Sequence, residues 1–89
     1  MLEKKQKDKI IATNATHKGD TGSPEVQIAI LTAEIEDLAK HLKKHDKDHS
    51  SRRGLLGKVA QRKKIQMYLK KEDQERYQKL MKKLGLKVA

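Results

Sequence analysis

Apolar positions fall into four groups along the chain, divided by polar or glycine-bearing breaks. The first group, Leu2 to about Ala15, is polar apart from Ile10 and Ile11 and predicts a short helix with a weak stripe. His17-Lys18-Gly19-Asp20-Thr21-Gly22 reads as a loop by its turn chemistry. Ser23-Pro24-Glu25 then predicts a helix start: a capping hydroxyl, a proline whose missing N–H costs nothing there, and an acid facing the helix dipole. Ile28, Leu31, Ile35, Leu38 and Leu42 follow at spacings of three and four. That is a seam for packing against another helix, on a helix whose 20 or so residues span roughly 30 Å.

A third helix is predicted from the Ser50-Ser51 pair, either of which can cap it, with Asp48 as a second candidate cap. It runs to about Lys71 with Leu55, Leu56, Val59, Ile65 and Leu69 as its apolar side, and Gly54 and Gly57 weaken its start. Those glycines would let a partner approach closely. Glu72-Asp73 breaks the pattern, and Asp73 caps a last helix carrying Tyr77, Leu80, Met81 and Leu84. Gly85-Leu86 ends it as a Schellman-type stop. Short connections predict that the second, third and fourth helices pack antiparallel. The expected fold class is all-α, in a single domain over residues 1–89.

Composition narrows the partner. The chain has no Trp, Phe or Cys, so its core must be aliphatic, and neither a disulfide scaffold nor a thiolate metal site is available. No apolar run reaches the length of a bilayer span, and the N-terminus lacks a signal-peptide profile, so a cytoplasmic location without membrane attachment is expected. The net charge is +10 over 89 residues, which points to a polyanionic partner. The charge is also segregated. His41 to Lys71 carries Lys43, Lys44, Lys47, Arg52, Arg53 and further cations against only Asp46 and Asp48, whereas Asp20 to Ala39 holds acids and no Lys or Arg. This places a binding surface on the second half.

The segment Lys40 to Arg53, KHLKKHDKDHSSRR, concentrates the candidate chemistry. Lys and Arg neutralise phosphates, while Asp, Ser and His bond to base edges and 2′-hydroxyls, a mixture suited to RNA. His41, His45 and His49 recur at i, i+4 on one predicted helix face. Metal binding is nevertheless disfavoured, because no HExxH motif is present and the lysines around them oppose a dication. A small aliphatic chain also offers no room for a catalytic pocket, so neither an enzyme nor a cofactor is expected. The bland alternative is that these residues only cap and solvate a helix junction.

Two further places carry weaker signals. The Gly19–Gly22 loop leaves backbone N–H groups open before a helix N-terminus, but without GK[ST] it is no P-loop. Gln27, one turn into that helix, has an amide able to read a base or sugar edge. Tyr68 sits among Arg62, Lys63, Lys64, Lys70 and Lys71, where it could stack on an unpaired base. Taken alone, core packing with its hydroxyl at the rim is the better reading of Tyr68, and Tyr77 reads as core.

GDTGSPEVQIAILT (Gly19 to Thr32), HLKKHDKDHSSRRGLL (His41 to Leu56) and YLKKEDQERYQKLMKKLGL (Tyr68 to Leu86) together closely resemble the bacterial family of small-subunit ribosomal protein fifteen. The resemblance implies four helices, three in the packed unit and a more mobile N-terminal one. It implies a primary binder of small-subunit ribosomal RNA that recognises a three-way helical junction and a nearby helix. The junction would be met by Thr21, Gly22, Gln27, Lys64, Tyr68 and Lys71, and a shallow minor groove by His41, His45, Asp48 and Ser51. Neighbouring ribosomal proteins are implied partners of a chain that is a monomer when free. Large-subunit ribosomal RNA at the subunit interface and the protein's own messenger RNA are further candidates.

The chain departs from the family at several positions. Ser50 stands where a histidine is common, Glu34 where some members carry arginine, and Lys64 and Lys71 where some have arginine, keeping charge but losing the bidentate fork. The rival reading is a basic helical module binding nucleic acid or an anionic membrane surface nonspecifically.

Overall fold

A computed structural model describes residues 4–14 and 22–86 of the chain. They form four helices, α1 (Lys4–Asn14), α2 (Pro24–Lys44), α3 (His49–Glu72) and α4 (Gln74–Leu84), with no strand among the described residues. The all-α expectation holds. No helix among the described residues is long and apolar enough to cross a membrane.

The starts of α2, α3 and α4 and the ends of α3 and α4 have chemical causes. Ser23 is extended, and its Oγ accepts the Val26 N–H at 3.3 Å, with Pro24 and Glu25 opening the first turn of α2. Asp48 caps α3, ahead of either serine: its Oδ1 accepts the Ser51 N–H at 3.1 Å, leaving both serines inside the first turn. Asp73 serves two helices. Its N–H donates to Leu69 O at 2.8 Å to close α3, and its Oδ1 accepts the Arg76 N–H at 3.1 Å to open α4. Gly85 then adopts a left-handed φ of 69°, with the Leu86 N–H donating to Met81 O at 2.9 Å, which is the expected Schellman stop.

Residue pairs across α2 and α3 show their direction. Thr32 meets Arg62, Glu34 meets Lys58 and His41 meets Asp48, so α3 numbers fall as α2 numbers rise and the two run antiparallel. This hairpin has a closed tip at residues 45–48 and an open end where α4 packs. The core gathers at the open end: Ile28, Leu69, Tyr77, Leu80 and Met81 are each at most 4% exposed, with Ile65, Leu84 and Leu86 packed against them. Removing such a set from water is the main stabilising term of a small helical unit. Arg76 adds a two-pronged bond from α4 to α2, Nε to Glu25 Oε2 at 2.7 Å and a terminal nitrogen to Oε1 at 2.5 Å. α1 lies against α2, with Ile10 and Ile11 half-buried.

The inner stripe of α3 differs from the expectation. It runs through Ser51, Leu55, Lys58, Arg62, Ile65 and Leu69, whereas Leu56 is 64% exposed and Val59 37%. One residue is about 100° of helix turn, so Leu55 and Leu56 cannot both face α2. The inward positions at 58 and 62 are filled by long side chains whose alkyl stems cover apolar surface while their heads find partners on α2.

Candidate nucleic-acid interface

At the closed tip, Asp48 is the hub. Its Oδ2 accepts the Ser51 hydroxyl at 2.7 Å and His41 Nε2 at 2.9 Å, and its Oδ1 accepts the Ser51 N–H. The Ser51 hydroxyl is the largest influence, followed by the His41 hydrogen bond and the Ser51 backbone N–H. Together they hold the Asp48 carboxyl well below the usual carboxylate range, against a smaller opposing effect of desolvation. An ionised carboxylate only accepts, so the His41 ring presents Nε2–H to it. The His45 ring lies 4.7 Å from that of His41, tilted by 35°. Arg52 pins the turn by donating to Asp46 O at 2.7 Å.

Beside this network lies a cleft of about 460 Å³ lined by His41, Lys44, His45, Asp46, Lys47 and Asp48, with Ser51 behind Asp48 and not in the lining. Oriented acceptor and donor groups therefore sit inside a lysine rim. The arrangement suits a ligand carrying both amino or hydroxyl donors and phosphates. His49 does not join it in the predicted way. The turn at 45–48 places His49 on α3, so the three histidines do not share one helix face. Among the described residues no group of three or more His, Cys, Asp or Glu is arranged to hold a metal ion.

The open end carries a second cleft, about 440 Å³, lined by Gly22, Pro24, Gln27, Lys64, Ile65 and Tyr68. Gln27 Nε2 donates to Gly22 O at 2.6 Å, which fixes the amide and the last part of the loop. Tyr68 is 57% exposed, so the core reading of this residue fails. The cause is rotational: Leu69 takes the buried position, and Tyr68, one residue earlier, is turned outward. Tyr77 is core as expected, at 1% exposure. Lys71 does not line the cleft; it lies nearly one turn beyond Tyr68 on the same flank of α3. Thr21 lies outside the described residues.

By helix rise, α2 from Gln27 to His41 spans about 21 Å, shorter than the roughly 30 Å suggested by the full length of the helix. Gly54 and Gly57 lie on α3 between the clefts, where an added Cβ would meet nothing within 4 Å. No internal packing requires them.

Several lining residues escaped the sequence reading. Pro24 and Ile65 were legible only as a helix start and a core position, since their second role depends on which helix edges meet. Lys44, Asp46 and Lys47 lie within the polar segment already singled out. Glu34 proves to be buried, 7% exposed and paired to Lys58, so it points into the α2–α3 seam. Nothing local in the sequence marks that pairing, nor the bond between Glu25 and Arg76, because the partners are distant in the chain.

The profile of the family described as "Ribosomal protein S15" matches residues 7–87. The chain is also similar to the "Small ribosomal subunit protein uS15" of Clostridium botulinum strains Hall, Langeland and Okra. Each is 54% identical over 86 residues, covering 97% of this chain and 99% of the relative. With a matched profile over nearly its whole length and relatives of this identity, the chain belongs to the ribosomal protein S15 family.

Proposed function

We propose that this protein is a non-enzymatic, structural component of the small ribosomal subunit in the cytoplasmic ribosome. In this reading residues 1–89 form one RNA-binding domain that binds small-subunit ribosomal RNA early. The open-end residues Thr21, Gly22, Gln27, Lys64, Tyr68 and Lys71 meet a three-way helical junction. The tip residues His41, His45, Asp48 and Ser51 meet an adjacent minor groove. The output is a fixed angle between RNA helices that neighbouring ribosomal proteins then join. No bond is made or broken.

The observation carrying this reading is the pair of unlike clefts at the two ends of one rigid helix pair. The open end offers an exposed aromatic ring, an oriented amide and a lysine, the groups that meet splayed bases and phosphates. The tip offers an ionised carboxylate held by an imidazole and a hydroxyl, suited to a guanine amino group or a 2′-hydroxyl in a wide, shallow groove. Beyond capping α3, Asp48 adds nothing to a purely electrostatic grip, because its carboxylate repels phosphate. That weighs against the nonspecific basic module.

The test is affinity for a three-way RNA junction with an adjoining helix against RNA and DNA duplexes of equal length, at matched high salt. Preference for the junction supports the proposal, and equal affinities sink it. Large-subunit ribosomal RNA fragments and the protein's own messenger RNA are the further RNAs to run in the same assay.

A further inference from the structure

The open-end cleft has one wall at the start of α2, from Gly22, Pro24 and Gln27, and the other on α3, from Lys64, Ile65 and Tyr68. The α3 wall is mounted directly on the core, since Ile65 and Leu69 pack into the cluster with Ile28 and Tyr77. The α2 wall is a helix end. Its first N–H groups have no carbonyl one turn earlier to bond, so this turn is held less firmly than the helix interior. The cap bond from the Val26 N–H to Ser23 Oγ is long at 3.3 Å, and the Gln27 N–H donates to Ser23 O at 3.0 Å.

A further tie reaches the same turn from another side. Glu25 is 8% exposed, and Arg76 donates to both of its oxygens, from Nε at 2.7 Å and from a terminal nitrogen at 2.5 Å. Arg76 is itself firmly placed. Asp73, which closes α3, accepts the Arg76 N–H at 3.1 Å, and the next residue, Tyr77, is buried in the core. The end of α3 is thereby strapped to the start of α2 through Asp73, Arg76 and Glu25. Neither Glu25 nor Arg76 lines the cleft. Glu25 lies about 100° round α2 from Pro24 and about 200° from Gln27, so the strap pulls on a flank turned away from the cleft.

We infer that Arg76 and Glu25 are positioning residues for the open-end cleft. Their fork keeps the first turn of α2 wound, and so keeps Gly22, Pro24 and Gln27 opposite Lys64 and Tyr68. Without the guanidinium, a carboxylate on a turn that also buries Val26 and Ile28 would lack its counter-charge, a heavily penalised state. The easiest relief is to unwind the terminal turn and let Glu25 reach water, because few backbone bonds are lost there. The Gln27 amide, which donates to Gly22 O at 2.6 Å, would move with that turn. RNA would then have to re-order the wall as it binds. The inference rests on the two-cleft RNA reading above and adds what presents one wall of the junction site. It gives α4 a part in RNA binding that needs no contact with RNA.

The test compares Arg76→Gln and Glu25→Gln with the native chain, at a temperature where circular dichroism shows the proteins folded. In Arg76→Gln, hydrogen exchange at the Val26 and Gln27 amides should speed about tenfold or more relative to the Ser51 and Arg52 amides at the tip, the mark of a local opening. Affinity for the isolated junction RNA should fall about tenfold, because the wall must be ordered on binding. The slope of log affinity against log salt should stay native, since no phosphate contact is removed.

Glu25→Gln carries the sharper sign. It removes an acid from a protein that binds a polyanion, so charge alone favours tighter binding. Loss of the fork predicts weaker binding and the same local opening. This variant also keeps the question decidable if Arg76→Gln misfolds, because a neutral amide is less costly to leave buried than a carboxylate. Uniform acceleration of all four amides, native junction affinity, or tighter binding by Glu25→Gln would each overturn the inference. So would a salt slope lowered by about 1 in Arg76→Gln, which would make Arg76 a phosphate contact. A native chain with no preference for the junction would instead overturn the two-cleft reading, and the amide comparison would still decide what Arg76 holds.

Discussion

The two ends of the α2–α3 hairpin are held by different physics. At the open end, five side chains are almost completely removed from water, and the cleft of Gln27, Lys64 and Tyr68 is mounted on their packing. At the tip, Ile35, Leu38 and Leu42 are only half-buried, and the geometry depends on one carboxylate, one hydroxyl and one imidazole. The open end therefore fails when volume is lost or when the buried Glu25 loses Arg76. The tip should tolerate lost volume and fail when its polar network is broken. A protein this small can build two unlike surfaces because it needs a full core under only one of them.

The largest effect should come from removing core volume at the open end. Leu69→Ala leaves a cavity beside Ile28 and Tyr77 and should cost about 3 kcal/mol of unfolding free energy, read from urea denaturation. A loss no larger than that of an exposed Leu56→Ala control would remove the contrast between the two ends. Next comes Tyr68→Ala, which should weaken junction RNA by about 2 kcal/mol through lost base stacking while leaving the urea midpoint nearly unmoved. A large stability loss with native affinity would return Tyr68 to a packing role.

Asp48 sharpens the comparison at the tip. Asp48→Ala should weaken the two-element RNA about tenfold, by the scale of a lost base-edge contact, although the change removes a negative charge. Tighter binding would show that Asp48 serves only as the α3 cap. Its depressed titration also has a sign. Because the folded-state value lies below the unfolded one, near 3.9, the stabilisation from this carboxylate is complete above that unfolded value and is lost as pH falls through the folded one. The stability difference between the native chain and Asp48→Asn should therefore shrink on acidification below about pH 4, and a difference constant with pH would contradict it.

The smallest effect belongs to Lys43, which is exposed and makes no recorded bond in the tip network. Lys43→Ala should reduce affinity mainly at low salt and lower the slope of log affinity against log salt by about 1. An effect that persists at high salt would make it a specific contact.

The helices were legible because their ends are chemical signals carried within a few residues. Ser23-Pro24-Glu25, Asp73 and Gly85-Leu86 all act where the sequence places them. The cap of α3 was ambiguous between neighbours, Asp48 and the two serines, since each can accept the same kind of backbone bond. The polar character of Lys40–Arg53 and the place of Gln27 beside the end of the loop were also visible as residue types in context. Tyr68 was marked only by the resemblance, because an aromatic residue in an amphipathic helix, taken alone, reads as core until its rotation is known.

Caps, turns, helix spans and the basic character of the second half follow from local composition, since they depend on neighbours within a turn or two and on charges that water cannot hide. The three packed segments and the family resemblance were readable on the same grounds, while the loop reading over residues 17–21 lies outside the described residues. Rotation was not. Which of Leu55 or Leu56 faces inward, why Lys58 is preferred to Val59 beside Glu34, and how Arg76 reaches Glu25 depend on partners brought together only when the chain closes on itself. Hydrophobic pattern defines a stripe to within about one residue, and one residue is 100° of a helix. The core settles the remainder: Ile65 and Leu69 fix the rotation of the continuous helix α3, and buried Glu34 meets Lys58 at that rotation.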